Sequence, residues 1–206
     1  MGEGTTRRDR EHQQHLRHIL DAAESIFAEK GFFRATMRQI ARRAEFALGT
    51  IYSYFQSKTG LYRRVIETKT EELASFVARE MKSESSVRGQ VEKFVQAKMS
   101  FFRENLSFLR LYLAEVDASP LDPEHVLREK ARQSYDSMLR GLADTMRRGI
   151  DEGLLKQADA DLLARALDGV TNSFALSWLR SEKRPSVAAE CRVAAELFLY
   201  GATVRE

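Results

Sequence analysis

Few of the 206 residues carry side chains suited to covalent chemistry. The chain has one cysteine, Cys191, and four histidines, His12, His15, His18 and His125. A lone cysteine forms no internal disulfide and lacks companions for a structural zinc site; it reads as a small buried residue of a helix. His12, His15 and His18 recur every third residue, but at about 100° per helical residue they fan out over about 200°, too wide an arc for one metal ion. His125 beside Glu124 reads as the start of a helix. No glycine-rich phosphate loop is present. Neither catalysis nor a metal or cofactor is therefore expected. What remains is charge. The formal net charge is +3, and the first sixty residues hold ten Lys and Arg against seven Asp and Glu, so the whole excess lies there. That imbalance suits a nucleic-acid face on the N-terminal part. Residues 1–13 are polar and without apolar period, which predicts a flexible basic tail whose Arg7, Arg8 and Arg10 would lie along phosphates or in a minor groove.

The elements that position such a face run from Thr36 to Lys58. Thr36-Met37-Arg38-Gln39 is a capping box, so a helix starts at Met37. Its apolar positions are Ile40, Ala41 and Ala44, while Arg38, Arg42 and Arg43 stay wet, either as a solvated face or against phosphates. After a break at Glu45 and Phe46, helical pattern resumes from about Ala47 to Tyr54, with Ile51 as inward anchor and Ala47 and Phe55 on its side. Leu48, Gly49, Tyr52 and Ser53 occupy the opposite face. Ahead of this pair a longer helix is written in the stripe Leu16, Ile19, Leu20, Ala23, Ile26, Phe27, closed near Lys30 by Gly31. Two short helices joined by a tight turn and packed on a longer one describe a helix-turn-helix, whose second helix enters the major groove of double-stranded DNA.

The rest of the chain is also helical in pattern. Glycine (11) and proline (3) are sparse and helix formers dominate, so the fold class is all-α. A long helix is expected from Ser57 to about Met81, followed by the polar break KSESSVRG. The stripe Val91, Phe94, Val95, Lys98, Phe101, Phe102 comes next, with an interruption near Asn105. Asp117 to Pro123 breaks the pattern most strongly, with Asp122 as cap and Pro123 in the first turn of a helix that reaches Glu152 and stops at Gly153. Asp159 and Ser186 start the last two. No uninterrupted apolar run reaches about eighteen residues, so no membrane span is expected. The N-terminus lacks the apolar core of a secretory signal, which makes the cytoplasm the expected location.

ILDAAESIFAEKGF (19–32), TMRQIARRA (36–44) and GTIYSYFQSKTGLY (49–62) together resemble the TetR family of bacterial transcriptional regulators. The likeness covers roughly the first 65 residues; the remainder matches mainly in length and helical pattern. It implies a three-helix DNA-binding domain (14–58) joined by a long helix to a helical domain (59–206) that binds an effector and dimerises. It further implies that Arg38 reaches a base edge or phosphate, that Thr36, Thr50 and Lys58 contact the backbone, and that Tyr52 and Tyr54 extend one toward the groove and one toward the backbone, with Met37, Leu48, Gly49 and Ser53 in the same surface. Tyr54 has the alternative of filling the small domain's core. Three residues depart from the family pattern. Glu45 stands where the turn usually has glycine, Ala47 where a capping serine is usual, and Leu48 where a polar reader is common. If Glu45 is left-handed the cost is about 1 to 2 kcal/mol.

By the same resemblance the protein would be a repressor that binds a palindromic operator as a homodimer and is released by a small apolar or amphipathic effector. Aromatic residues of the second domain belong more often to a core than to a pocket; Phe94, Phe102, Tyr112, Tyr135, Met138, Phe174 and Trp178 are the pocket candidates. Tyr112, Tyr135 and Trp178 lead because each joins apolar surface to a polar handle. The stripes Leu163, Leu167, Val170 and Val193, Leu197, Phe198, Gly201 serve internal packing or a dimer interface. A structural or division-control protein using the same DNA reader without an inducer is the alternative, and activation instead of repression stays open.

Overall fold

The computed structural model describes residues 6–116, 129–180 and 186–203. Among the described residues it has nine helices: α1 (Arg7–Arg34), α2 (Met37–Arg43), α3 (Leu48–Tyr54), α4 (Lys58–Lys82), α5 (Val87–Glu104), α6 (Leu106–Val116), α7 (Glu129–Asp151), α8 (Ala160–Arg180) and α9 (Val187–Ala202). One isolated antiparallel bridge, Leu155 to Thr203, is the only β-pairing among them. No described helix is long and apolar enough to cross a membrane, and the described residues contain no group of three metal-binding side chains. The helix start expected at Asp122, Pro123, Glu124 and His125 lies outside the described residues.

The chain forms two compact units, Met1–Thr68 and Lys69–Glu206, so the division falls within α4 and not at 58 as expected. The first turns of α4 belong to the N-terminal unit because Leu61 and Val65 are buried there and the Tyr62 ring meets Phe27 edge-on at 5.0 Å.

A second correction concerns the tail. Helix α1 starts at Arg7, so the segment through residue 13 is mostly helical. The Thr6 hydroxyl accepts from Asp9 N at 3.2 Å and the Asp9 carboxylate accepts from Thr6 N at 3.0 Å, a reciprocal cap with aspartate in the place usually taken by glutamate or glutamine. These hydrogen bonds hold the exposed Asp9 carboxyl below its ordinary pKa. The expected stripe of α1 faces the core, with Ile19, Ala23, Ile26 and Phe27 buried, and helical geometry breaks at Gly31, whose φ is 73°.

The link between α2 and α3 has the strain anticipated for it. Phe46 N donates to Ala41 O at 3.0 Å and Glu45 N to Arg42 O at 3.3 Å, a Schellman ending whose left-handed residue is Glu45, at φ 59°. Ala47 makes no side-chain cap. Ile51 is fully buried, but Ala47, expected on the same side, is exposed.

In the C-terminal unit α5 is central: it packs on α7, α8 and α9, while α6 lies on α5 and α8. Gly153, at φ 72°, ends α7, and the Asp159 carboxylate accepts from Asp161 N at 2.8 Å to start α8. Cys191 is buried as expected, 3.6 Å from the Met99 sulfur, and burial pushes its thiol up to about 11.

Replacing Glu45 by glycine removes the left-handed penalty and leaves both Schellman hydrogen bonds in place. Chemical denaturation of Glu45→Gly is expected to show a stability gain of about 1 kcal/mol.

Candidate nucleic-acid interface and effector core

Helices α2 and α3 present two kinds of residue. Thr36, Arg38, Gly49, Tyr52 and Ser53 are exposed and Leu48 and Thr50 half-buried. Arg38 and Arg42 have no hydrogen bond or ion pair among the described residues, so their guanidinium groups remain available. The Thr36 hydroxyl accepts from Gln39 N at 3.3 Å and the Gln39 amide oxygen accepts from Thr36 N at 3.2 Å, which completes the expected capping box. A Cβ on Gly49 would meet nothing within 4 Å, so the α3 backbone is open to close approach there. Ser53 turns inward along its own helix, donating to Thr50 O at 2.7 Å.

Other expected contacts are withdrawn from this surface. Met37 is 7% exposed and packs with Ile40 and Ala41, because it falls on their stripe. Lys58 was expected at a phosphate. Its ammonium instead donates to Phe32 O at 2.8 Å, Ala35 O at 3.0 Å and Phe33 O at 3.3 Å, and lies over the Phe32 ring at 4.5 Å. Three donors meet three carbonyls at and just past the C-terminal end of α1, where no further turn supplies helical partners. Lys58 thus ties the start of α4 to the turn before α2. Ser57 caps α4 as expected, accepting from Gly60 N at 3.0 Å.

Arg43 is bound to α1 through Glu29, at 3.0 and 3.1 Å, and its pull holds the exposed Glu29 carboxyl below its ordinary pKa. Tyr54 is half-buried and stacks on His12 at 4.7 Å, while His15 meets Phe46 edge-on at 5.0 Å. Sequence reasoning assigned His12 to a tail and so missed this support for α3; the Thr6 and Asp9 pair was the signal for it.

The interior of the C-terminal unit holds a feature the apolar stripe of α5 concealed. Lys98 is fully buried, and its ammonium donates to the Asp168 carboxylate of α8 and, at 2.7 Å, to Asn172 Oδ1. Asp168, 2% exposed, also accepts from the Tyr135 hydroxyl of α7 at 2.8 Å and from Asn172 Nδ2 at 3.0 Å. The Phe94, Phe102 and Tyr112 rings surround the ammonium at 5.6 to 5.8 Å. Burial pulls the Lys98 pKa down, and Asp168 opposes that shift. Burial, then the Asp168 charge, pushes both Tyr112 and Tyr135 up, so both phenols stay protonated.

Four pocket candidates, Phe94, Phe102, Tyr112 and Tyr135, therefore converge on one charged centre. Trp178 does not join them: its indole donates to Glu190 of α9 at 2.5 Å and Arg103 lies over its ring at 5.5 Å. Met138 is buried and lines a separate cleft with Val77, Met81, Gln90 and Thr145, and Phe174 is half-buried at the edge of the core.

The two stripes of α8 and α9 divide in the same way. Leu167 and Phe198, expected at a dimer interface, are buried within the subunit at 0% and 8% exposure. Leu163 and Val170 are half-buried, and Val193, Leu197 and Gly201 are exposed. Leu162 of α8 and Tyr200 of α9, not singled out from the sequence, are exposed at 64% and 71%.

Removing one partner of the buried pair strands a charge. Asp168→Ala is expected to cost about 3 to 5 kcal/mol in urea unfolding, and the double change Lys98→Met with Asp168→Leu less than that. In the N-terminal unit, Lys58→Met is expected to lower stability by about 1.5 to 3 kcal/mol. An anisotropy titration should find the salt slope of its DNA binding unchanged, where loss of a phosphate contact would flatten the slope by about one unit.

Comparison with known proteins agrees with this arrangement. Residues 19–65 match "Bacterial regulatory proteins, tetR family", and residues 119–202 match "Tetracyclin repressor-like, C-terminal domain". The chain is 22% identical over 184 residues to the fatty acid metabolism regulator protein of Bacillus subtilis (strain 168), covering 89% of this chain and 93% of the relative. It is 21% identical over 160 residues to the nucleoid occlusion factor SlmA of Haemophilus influenzae, covering 77% and 72%. The solved structure of the transcriptional regulator FadR from Bacillus subtilis in complex with stearoyl-CoA shares the fold, with a TM-score of 0.78 at 22% identity over 90% of this chain and 98% of that one. A DNA-reading helix pair at the N-terminus and a helical regulatory domain behind it are matched by the family's own two segments, and the chain belongs to the TetR family of transcriptional regulators.

Proposed function

We propose that the protein is a repressor that binds a palindromic operator as a homodimer and is released by an amphipathic effector carrying a long acyl chain. The observation that carries the DNA reading is the division of the N-terminal polar residues. Lys58, Arg43 and Tyr54 are engaged inside the unit, while Arg38, Arg42, Thr36, Tyr52 and Ser53 are exposed along α2 and α3, with Gly49 exposed and Leu48 half-buried. In this reading Arg38 reaches a guanine edge or a phosphate, and the Thr36 and Tyr52 hydroxyl groups donate to phosphate oxygens. Leu48 and Gly49 offer methyl contact and close backbone approach, so much of the specificity comes from DNA shape.

The dimer rests on the α8 and α9 surface. Val193, Leu197 and Tyr200 recur at steps of four and three and leave an apolar strip of α9 uncovered, and Leu162 of α8 is exposed as well. The exposed small residues Ala166, Gly169 and Gly201 of the same two helices let a second pair of helices approach closely. A two-fold dimer of this kind presents its readers to half-sites about 34 to 36 Å apart, or a multiple of that distance. The acyl-type effector follows the fatty acid regulator relative and the stearoyl-CoA complex of FadR, together with the aromatic interior around Lys98.

The likeness to SlmA favours a second reading, in which the same DNA reader occupies many chromosomal sites without an inducer. Selecting bound fragments from the source genome and sequencing them separates the two. A repressor is expected to recover a few palindromic sites next to promoters; a nucleoid protein would recover many dispersed ones. Leu197→Asp is expected to shift sedimentation at micromolar concentration from dimer to monomer and to weaken operator binding at least tenfold, because one reading helix then binds without its partner.

A further inference from the structure

The opening turns of α1 bury nothing, yet they are held in place. Every residue from Arg7 to His15 is exposed, so no core packing makes this stretch helical. The Thr6 and Asp9 cap starts it, and two aromatic contacts fix it to the reader. His12 stacks on Tyr54 at 4.7 Å, and His15 meets Phe46 edge-on at 5.0 Å. Toward its N-terminus α1 thus passes from the turn before α3 to the last residue of α3. Arg8 lies one turn further, about 6 Å along the axis past the Tyr54 contact.

Helical phase separates the arginines of this segment. At about 100° per residue, Arg8 falls within about 40° of His12 and about 20° of His15, on the face that meets α3; Arg10 falls about 160° from His12, on the far side. Arg7 is tied to Glu11 at 2.9 Å. Asp9 is occupied by the backbone N and the hydroxyl of Thr6, at 3.0 and 2.7 Å. Arg8 has no side-chain hydrogen bond or ion pair among the described residues, which leaves a free cation on the reader side of the prong. With seven residues α3 is about 10 Å long, and the major groove is about 12 Å wide. A side chain carried past the end of α3 is therefore in reach of the strand that borders the groove. There a guanidinium can donate two parallel hydrogen bonds to phosphate oxygens.

Resting on the DNA reading above, we infer that α1 supplies a DNA contact outside the two reading helices: Arg8, on a helical prong fixed to α3 through His12, binds a phosphate in the duplex flanking the half-site. Arg7 and Arg10, expected at phosphates from the sequence, take no part. The contact carries no base information and sets the register of α3 in its groove. Because the prong is ordered before DNA arrives, it loses less conformational entropy on binding than a flexible arm would.

The test uses the full-length protein and an operator fragment recovered by genomic selection, read by anisotropy between about 50 and 200 mM salt. Arg8→Ala is expected to flatten the salt slope by about one unit per bound subunit, so that its affinity deficit against wild type shrinks about fourfold per subunit over that range. Arg10→Ala is expected to keep the wild-type slope. On a fragment trimmed to its two half-sites, wild type is expected to show the flatter slope of Arg8→Ala. The inference is overturned if Arg8→Ala keeps the wild-type slope, if Arg10→Ala flattens it equally, or if trimming leaves wild type and Arg8→Ala apart. Should selection recover no operator, the DNA reading itself fails and this one with it.

Discussion

A lysine without solvent contact keeps its charge only where opposite charge and hydrogen-bond acceptors are built around it. Lys98 meets that condition through α8, which contributes Asp168 and Asn172, while α7 holds Asp168 through the Tyr135 hydroxyl that donates to it. Apolar side chains tolerate small shifts between helices, because their contacts are many and non-directional. This centre does not: its atoms must meet within hydrogen-bond distance, so α5, α7 and α8 share one register. The same requirement accounts for the aromatic shell. Phe94, Phe102 and Tyr112 exclude water, which strengthens the pair, and their ring faces lie toward the cation.

The N-terminal unit solves a different problem. Helix α3 has seven residues and one fully buried anchor, Ile51, too little for it to hold its own geometry. Side chains around it supply the rest. Lys58 ties α4 to the turn after α1, Arg43 ties α2 to Glu29, His12 supports Tyr54, and Glu45 accepts a left-handed backbone so that the Schellman ending can form. Several of the residues that look like DNA contacts are thereby the ones that keep the contacting surface rigid. A reader preorganised in this way loses less conformational entropy on binding.

The elements of this fold were legible because their signals are local. Thr36 and Gln39, Gly31, Gly153 and Asp159 each mark a boundary within four residues of itself, and the structure follows them. Met37 was legible too, since it lies three and four residues before Ile40 and Ala41 on one face; its burial follows from the period. Lys58 was not. A lysine after a helix cap reads identically whether a phosphate or a carbonyl awaits it, and the carbonyls here are 23 to 26 residues away in sequence. Lys98 lay between. A charge in an apolar stripe is a visible anomaly, but its partner stands 70 residues further on, where only tertiary packing brings it close.

The polar centre and the apolar chain of an effector contribute unequal shares to switching. A ligand moves a two-state equilibrium only by its difference in affinity for the two states, and a swing from 1:99 to 99:1 needs about 5.5 kcal/mol. One hydrogen bond to a ligand's head group supplies about 0.5 to 1.5 kcal/mol of that. At about 0.8 kcal/mol per buried methylene, roughly six methylenes must be newly buried in the released state to supply the remainder. Under the proposed reading, then, chain length sets whether a bound ligand releases DNA. A ligand with a short chain would bind and leave the protein on its operator.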